Sequence, residues 1–120
     1  MPFDNPTAYP VSIEVDPSVE RATEFLERAW RLIDRPQKWC RGQPESIDGR
    51  RLCSMTALQV TSLRYGPNPS TDSYFMALGF LGIAMGGSIM GFNDTRTHAE
   101  LTDAWQRAIA MSQSRCNQRD

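Results

Sequence analysis

Apolar residues recur at three- and four-residue steps in two long stretches of this chain. Val19, Ala22, Leu26, Ala29 and Ile33 form the first stripe, widened by Phe25 and Leu32. That spacing is the mark of an amphipathic helix with one face on a core. Asp16 is placed to cap it, Pro17 suits the first helical position, and Glu20 adds an anion near the positive helix end. Pro36 sets its expected end. Glu20, Glu24, Glu27, Arg21, Arg28 and Arg31 mostly lie off the stripe and read as a solvated face. The second stripe is Leu101, Ala104, Trp105 and Ala108, continuing toward Met111 or Ser112, with Ile109 beside it. Thr97-x-x-Glu100 directly precedes it and has the pattern of a capping box.

The region between the two stripes is less regular. Leu52, Met55, Leu58 and Leu63 predict a helix from Leu52 to about Tyr65, followed by a Gly/Pro/Asn/Ser loop over 66–72. The nineteen residues from Tyr74 to Phe92 carry no formal charge, and a bilayer span needs ~20 apolar residues. Five glycines interrupt this run, which favours a buried helix over a span. The helix is expected from about Tyr74 to Met85, capped by Asp72 or Ser73. Gly86-Gly87 should stop it, and a short apolar return should follow. At the start of the chain, Pro2, Pro6 and Pro10 make residues 1–15 an extended arm, and Val11, Ile13 and Val15 allow a short strand. Asp48-Gly49 signals a turn and allows a hairpin near 43–51. The expected fold is mainly α: a compact single-domain bundle of about four helices over 16–114, with 115–120 a frayed tail.

Composition narrows the function classes. With 120 residues and a net charge of −1, the chain suits one domain and lacks the basic footprint of a nucleic-acid binder. Met1-Pro2-Phe3-Asp4 is not a basic region leading into an apolar run. Together with an odd count of three cysteines, this points to reduced thiols and a cytoplasmic setting. No membrane association is expected.

Four constellations could carry chemistry. Cys40, His98 and Asp94 or Asn93 supply the residue types of a thiol nucleophile, its base and an orienting group. No cysteine-protease signature surrounds Cys40, and His98 at a helix start gains little as an imidazolium. Burial of Trp39 and Cys40 in the core, with Asn93 and Asp94 holding a turn beside them, accounts for the same residues more simply. Cys40, Cys53, Cys116 and His98 are zinc-ligand types without zinc-site spacing, so no metal and no cofactor is expected. Gly86, Gly87 and Gly91 match no phosphate-binding motif. Finally, Trp39, Arg41, Arg50 and Arg51 lie on one loop, with Arg35 and Lys38 preceding it. Such a loop can bind phosphate or stack on nucleic-acid bases, which the net charge does not favour, and it can equally anchor a protein partner, because Trp and Arg are frequent interface anchors. Solvated loop charges are the plainer reading of the same residues; if the chain has a binding element, this loop is the candidate.

Several residues taken together carry a resemblance. Trp39-Cys40-x-Gly42, Asp48-Gly49-Arg50, Cys53 with Ala57-Leu58, and Phe92-Asn93-Asp94 before Thr97-His98-Ala99-Glu100 resemble a family of small uncharacterised bacterial and phage proteins. The resemblance covers roughly residues 20–112. Phe92 stands where tryptophan is more usual, and Cys53-Ser-Met-Thr-Ala replaces the usual Cys-x-x-Gly-Ala. The resemblance implies an intracellular bacterial or phage setting and no assigned activity. The leading expectation is a non-enzymatic macromolecule-binding protein with a protein partner. An inhibitor or modulator of a host protein, carried by a phage or mobile element, is its specific form. The alternatives are a small cysteine-dependent hydrolase or transferase using Cys40 and His98, and a small-ligand or nucleotide-binding protein using the 86–98 turn.

Overall fold

The computed structural model describes residues 17–64 and 71–116, with side chains placed for 21–64 and 73–115. The proposed arm and strand over 1–15, the Asp16 cap, the 66–70 part of the loop and the last four residues lie outside the described residues. Among the described residues there are five α-helices: α1 Pro17–Arg31, α2 Ser54–Arg64, α3 Thr71–Ala84, α4 Ile89–Thr95 and α5 His98–Cys116. The protein is therefore mainly helical, with one helix more than expected. Helices α1, α3 and α5 pack on one another, α2 lies on α1, and α4 reaches α2.

The α1 stripe forms over its described side chains: Ala22, Phe25, Leu26, Ala29 and Ile33 are all buried, and Leu32 is half-buried against the same core. The α-helix ends at Arg31, before Pro36, because the chain tightens. Leu32 N donates to Ala29 O and Ile33 N to Trp30 O, both three residues back. This turn carries Ile33 into the core. Lys38 Nζ then donates to Arg31 O at 2.9 Å and pairs with Asp34 at 3.0 Å, so a cation covers the negative end of α1. Between them Pro36–Lys38 forms one 3-10 turn, with Pro36 at its first position.

Three expectations about the middle of the chain need correction. Leu52 does not open α2. It makes isolated bridges to Trp39 and Glu45, and the helix begins only at Ser54. Its cap is Cys53, whose Sγ accepts from Thr56 N at 3.4 Å and whose carbonyl accepts from Ala57 N. Likewise, neither Asp72 nor Ser73 is the cap of α3, because that helix already starts at Thr71. The 43–51 hairpin is also not formed: among the described residues there are bridges but no strand. The turn signal itself is real. Gly49 has φ 73° and its N–H donates to Ser46 O. The donors that would build a ladder are taken by side chains: Arg50 N by Asp48 Oδ1 and Arg51 N by Ser46 Oγ.

The glycine pair ends α3 as expected, through a Schellman arrangement. Gly86 N donates to Ile83 O and Gly87 N to Gly82 O, with φ of 77° and 112° at the two glycines. The apolar return beyond it is helical. Ser88 caps α4 by accepting from Gly91 N at 2.9 Å. No single helix among the described residues is long and apolar enough to cross a membrane; only the pair α3 and α4, bent by 50°, passes by length and composition. Ala77 and Leu81 of α3 are wholly buried and Met85 nearly so, packed with residues of α1 and α5.

The capping box of α5 is formed. Glu100 N donates to Thr97 Oγ1 at 3.2 Å, and Thr97 N to Glu100 Oε1 at 2.9 Å. Thr97→Ala is expected to lower stability by roughly 0.5–2 kcal/mol. Equilibrium denaturation in urea measures it, and a change under about 0.5 kcal/mol would assign Thr97 to the indifferent surface. The helix runs to Cys116, two residues into the stretch expected to fray.

Candidate functional site: an asparagine latch beneath the 41–51 loop

Asn93 sits in the last turns of α4 and has no solvent exposure. Its Oδ1 accepts from Trp39 Nε1 at 2.8 Å, from Ser54 N at 2.9 Å and from Ser54 Oγ at 2.8 Å. Its Nδ2 donates to Cys40 O at 3.1 Å and to Asp94 Oδ1 at 3.1 Å. The neighbours fix the orientation of the amide. A flipped group would aim its N–H bonds at donors and its oxygen at a carbonyl and a carboxylate. One side chain thus joins α4, the start of α2 and the Trp39-Cys40 segment. Asp94 extends the joint, because its Oδ1 also accepts from Gly42 N at 2.8 Å. Trp105 Nε1 of α5 donates to Ser54 Oγ at 3.3 Å, so the network reaches the centre of the core.

An aromatic ladder flanks the latch. Trp105 stacks on Trp30, with centroids 5.5 Å apart, and Trp30 stacks on His98 at 5.7 Å. His98 then meets Trp39 at 5.3 Å with the rings tilted by 59°. His98 Nε2 lies 2.8 Å from Ile33 O. A carbonyl only accepts, so that nitrogen carries the proton. Ring and nitrogen together tie the start of α5 to the turn after α1.

The thiol of Cys40 faces a different set of groups. Its Sγ donates to Gln43 O and Arg51 O, both at 3.5 Å. Burial pushes the thiol up, and nearby Cys53, Asp94 and Glu45 add to the rise against the opposing pull of Arg51. A thiolate is the nucleophilic form, and everything but Arg51 disfavours it here. Cys40 is therefore expected to alkylate slowly in the native protein and rapidly in concentrated urea, read by mass spectrometry after iodoacetamide pulses. Fast native alkylation that His98→Ala abolishes would instead indicate an activated thiol.

The structure thus brings Trp39, Cys40, Asn93 and Asp94 together as a joint, while the hydrogen bonds of the Cys40 thiol and the His98 ring run to separate carbonyls. Among the described residues no group of three or more His, Cys, Asp or Glu is arranged to hold a metal. The expected ligand turn at 86–98 has its parts committed: Gly86 and Gly87 cap α3, and Asn93 and Asp94 form the latch. Of the candidate binding residues, Arg41 lies over the Trp39 ring at 5.2 Å, while Arg50 and Arg51 are exposed. Three participants escaped the sequence reading: Ser54, Trp30 and Ile47. Trp30 follows Leu26 by four residues, so the helical repeat could have drawn it toward the core. Ser54 and Ile47 gave no such signal. Ile47, at the tip of the turn, is as exposed as a free residue (103%).

The model of a family described as "Family of unknown function (DUF6197)" matches residues 17–111, and the chain belongs to that family. Neither the curated proteins nor the solved structures contain a match.

Proposed function

We propose that this member of a family of unknown function is a non-enzymatic binding protein, cytoplasmic, whose contact element for a protein partner is the 41–51 loop. The observation that carries the reading is Ile47. A large aliphatic side chain wholly in water costs solubility and gains nothing for this fold. It is nevertheless held out on a turn that is fixed internally. Ser46 Oγ donates to Asp48 Oδ1 at 2.6 Å, Asp48 Oδ1 also accepts from Arg50 N, and Ser46 N donates to Arg51 O. The root of the turn is bolted to α4 through Gly42 and Asp94. A contact loop fixed in advance loses less freedom on binding. Arg41, Arg50 and Arg51 outnumber Glu45 and Asp48 on the same loop, so the matching surface is an apolar recess edged with carboxylates. The buried, carbonyl-bonded thiol of Cys40 supports a binding role over the thiol-enzyme alternative. An inhibitor or modulator of a host protein remains the specific form of this proposal.

The test places a photo-reactive amino acid at position 47 in cells of the source. The expected result is one dominant cross-linked protein, lost when Arg50 and Arg51 are both changed to Glu while the circular dichroism spectrum is unchanged. Cross-linking that is diffuse, or indifferent to the arginine changes, would remove the loop from the function.

A further inference from the structure

Two thiols lie beside the latch and take no part in its hydrogen bonds: Cys40, whose carbonyl alone is used by Asn93, and Cys53, the cap of α2. Leu52 N donates to Lys38 O at 2.9 Å, and Cys40 N donates to Leu52 O at 3.1 Å. These two bonds define the parallel bridge between Trp39 and Leu52. One residue further along each segment, the register sets Cys40 beside Cys53. Paired segments run about 4.8 Å apart, within the roughly 4.4–6.8 Å Cα separation that a disulfide spans. Side chains alternate along such segments, so both cysteines leave on the side opposite Trp39 and Leu52. Both thiols are buried and free. Cys53 is among the groups that raise the Cys40 thiol, as expected of close neighbours. The third cysteine cannot compete: α5 runs from His98, bonded beside Ile33, through Ser112, bonded to Thr23, and ends at Cys116. Eighteen residues of helix at 1.5 Å each put it about 27 Å from the latch end.

We infer that Cys40 and Cys53 form a dithiol site that small-molecule disulfides oxidise to an intrachain disulfide, closing the 41–51 loop at its root. Cys40 is the more exposed of the two, at 9% against 1%, and takes the first step. Its thiol gives up a proton to solvent, and the thiolate attacks the small disulfide. A Cys40 mixed disulfide forms and one small thiolate leaves. Cys53, deprotonated in turn, attacks the Cys40 sulfur and expels the second small thiolate. The protein loses two protons and two electrons, and the oxidant is reduced to two thiols. Because both sulfurs are covered, the exchange proceeds through openings of the 41–51 loop and is slow, for the same reason that native Cys40 is expected to alkylate slowly. The site stands on the register alone and is independent of the proposed partner.

The experiment equilibrates the full chain in glutathione redox buffers without denaturant, approached from the reduced and from the oxidised protein so that slow kinetics do not decide the result. Exchange is then quenched with acid, the protein is moved to iodoacetamide in concentrated urea at alkaline pH so that every free thiol is alkylated, and linked peptides are mapped by mass spectrometry. The expected product is a Cys40–Cys53 linked peptide appearing in one two-electron transition, with both free thiols lost together. Cys116→Ser leaves this unchanged. Cys53→Ser converts the product to a glutathione adduct at Cys40. An equilibrium population of glutathione adducts at Cys40 or Cys53 in the unsubstituted protein, linkage of either to Cys116, or thiols that stay reduced from both directions would overturn the inference.

Discussion

Asn93→Ala is expected to destabilise the protein by roughly 3–5 kcal/mol, because each buried polar group stripped of its partner costs ~1–3 kcal/mol. Four buried groups lose a partner at once, the Trp39 indole N–H, the Ser54 amide, the Ser54 hydroxyl and the Cys40 carbonyl, and the half-buried Asp94 Oδ1 loses one of its two. The penalties do not add in full. Ser54 Oγ retains Trp105 Nε1, and a water molecule can enter the space left by the amide. Even so, the change should rank among the most damaging single substitutions away from the large apolar side chains. Urea unfolding at equilibrium measures it. A loss below about 1 kcal/mol would mean that water replaces the side chain without penalty, and the latch would then be incidental.

Trp39→Ala is expected to cost a similar amount, ~3–5 kcal/mol for a buried aromatic side chain, but for a different reason. Trp39 is only 8% exposed. It fills the space between the α1 turn and α5 and forms the end of the aromatic ladder against His98. Trp39→Phe separates the two contributions. It keeps an aromatic ring in place and removes the Nε1 donor, while Asn93 Oδ1 keeps both bonds from Ser54. The cost should fall to about 1–2 kcal/mol. Should Trp39→Phe prove as costly as Trp39→Ala, ring volume would not be what the position supplies. Should both changes be harmless, Trp39 would not be buried in solution.

The legible parts of the fold were those where periodicity and end chemistry agree. In α1 and α5 a polar face opposes an apolar stripe, and Thr97-x-x-Glu100 marks the start of α5. In α3 the residues are apolar all round, so periodicity says nothing about which side is buried, and Phe75 and Ile83 indeed remain exposed while Ala77 and Leu81 are covered. Helix α4 has only seven residues, too few for a stripe, and contains Gly91. What makes it a helix is the Ser88 cap. The start of α2 was misplaced because Leu52 looks like a stripe residue, whereas its backbone is committed to Lys38 and Cys40. Half of the site was readable by elimination: an asparagine ending an apolar run must satisfy turn donors, and Trp39 is too large to leave in water. The other half joins residues far apart in sequence. Ser54 lies 39 positions from Asn93 and 51 from Trp105, and no local pattern encodes such a meeting.

Hydrogen exchange at the Trp39 indole N–H and the Ser54 amide, followed by NMR, tests the latch most directly. Both protons point at the same buried oxygen, Asn93 Oδ1. Exchange of either requires that oxygen to move away and water to enter. The account predicts that both exchange as slowly as the core amide of Trp105, only through global unfolding. Exchange of either proton at the rate of the exposed turn amides around Gln43, in a protein whose α5 amides stay protected, would contradict it.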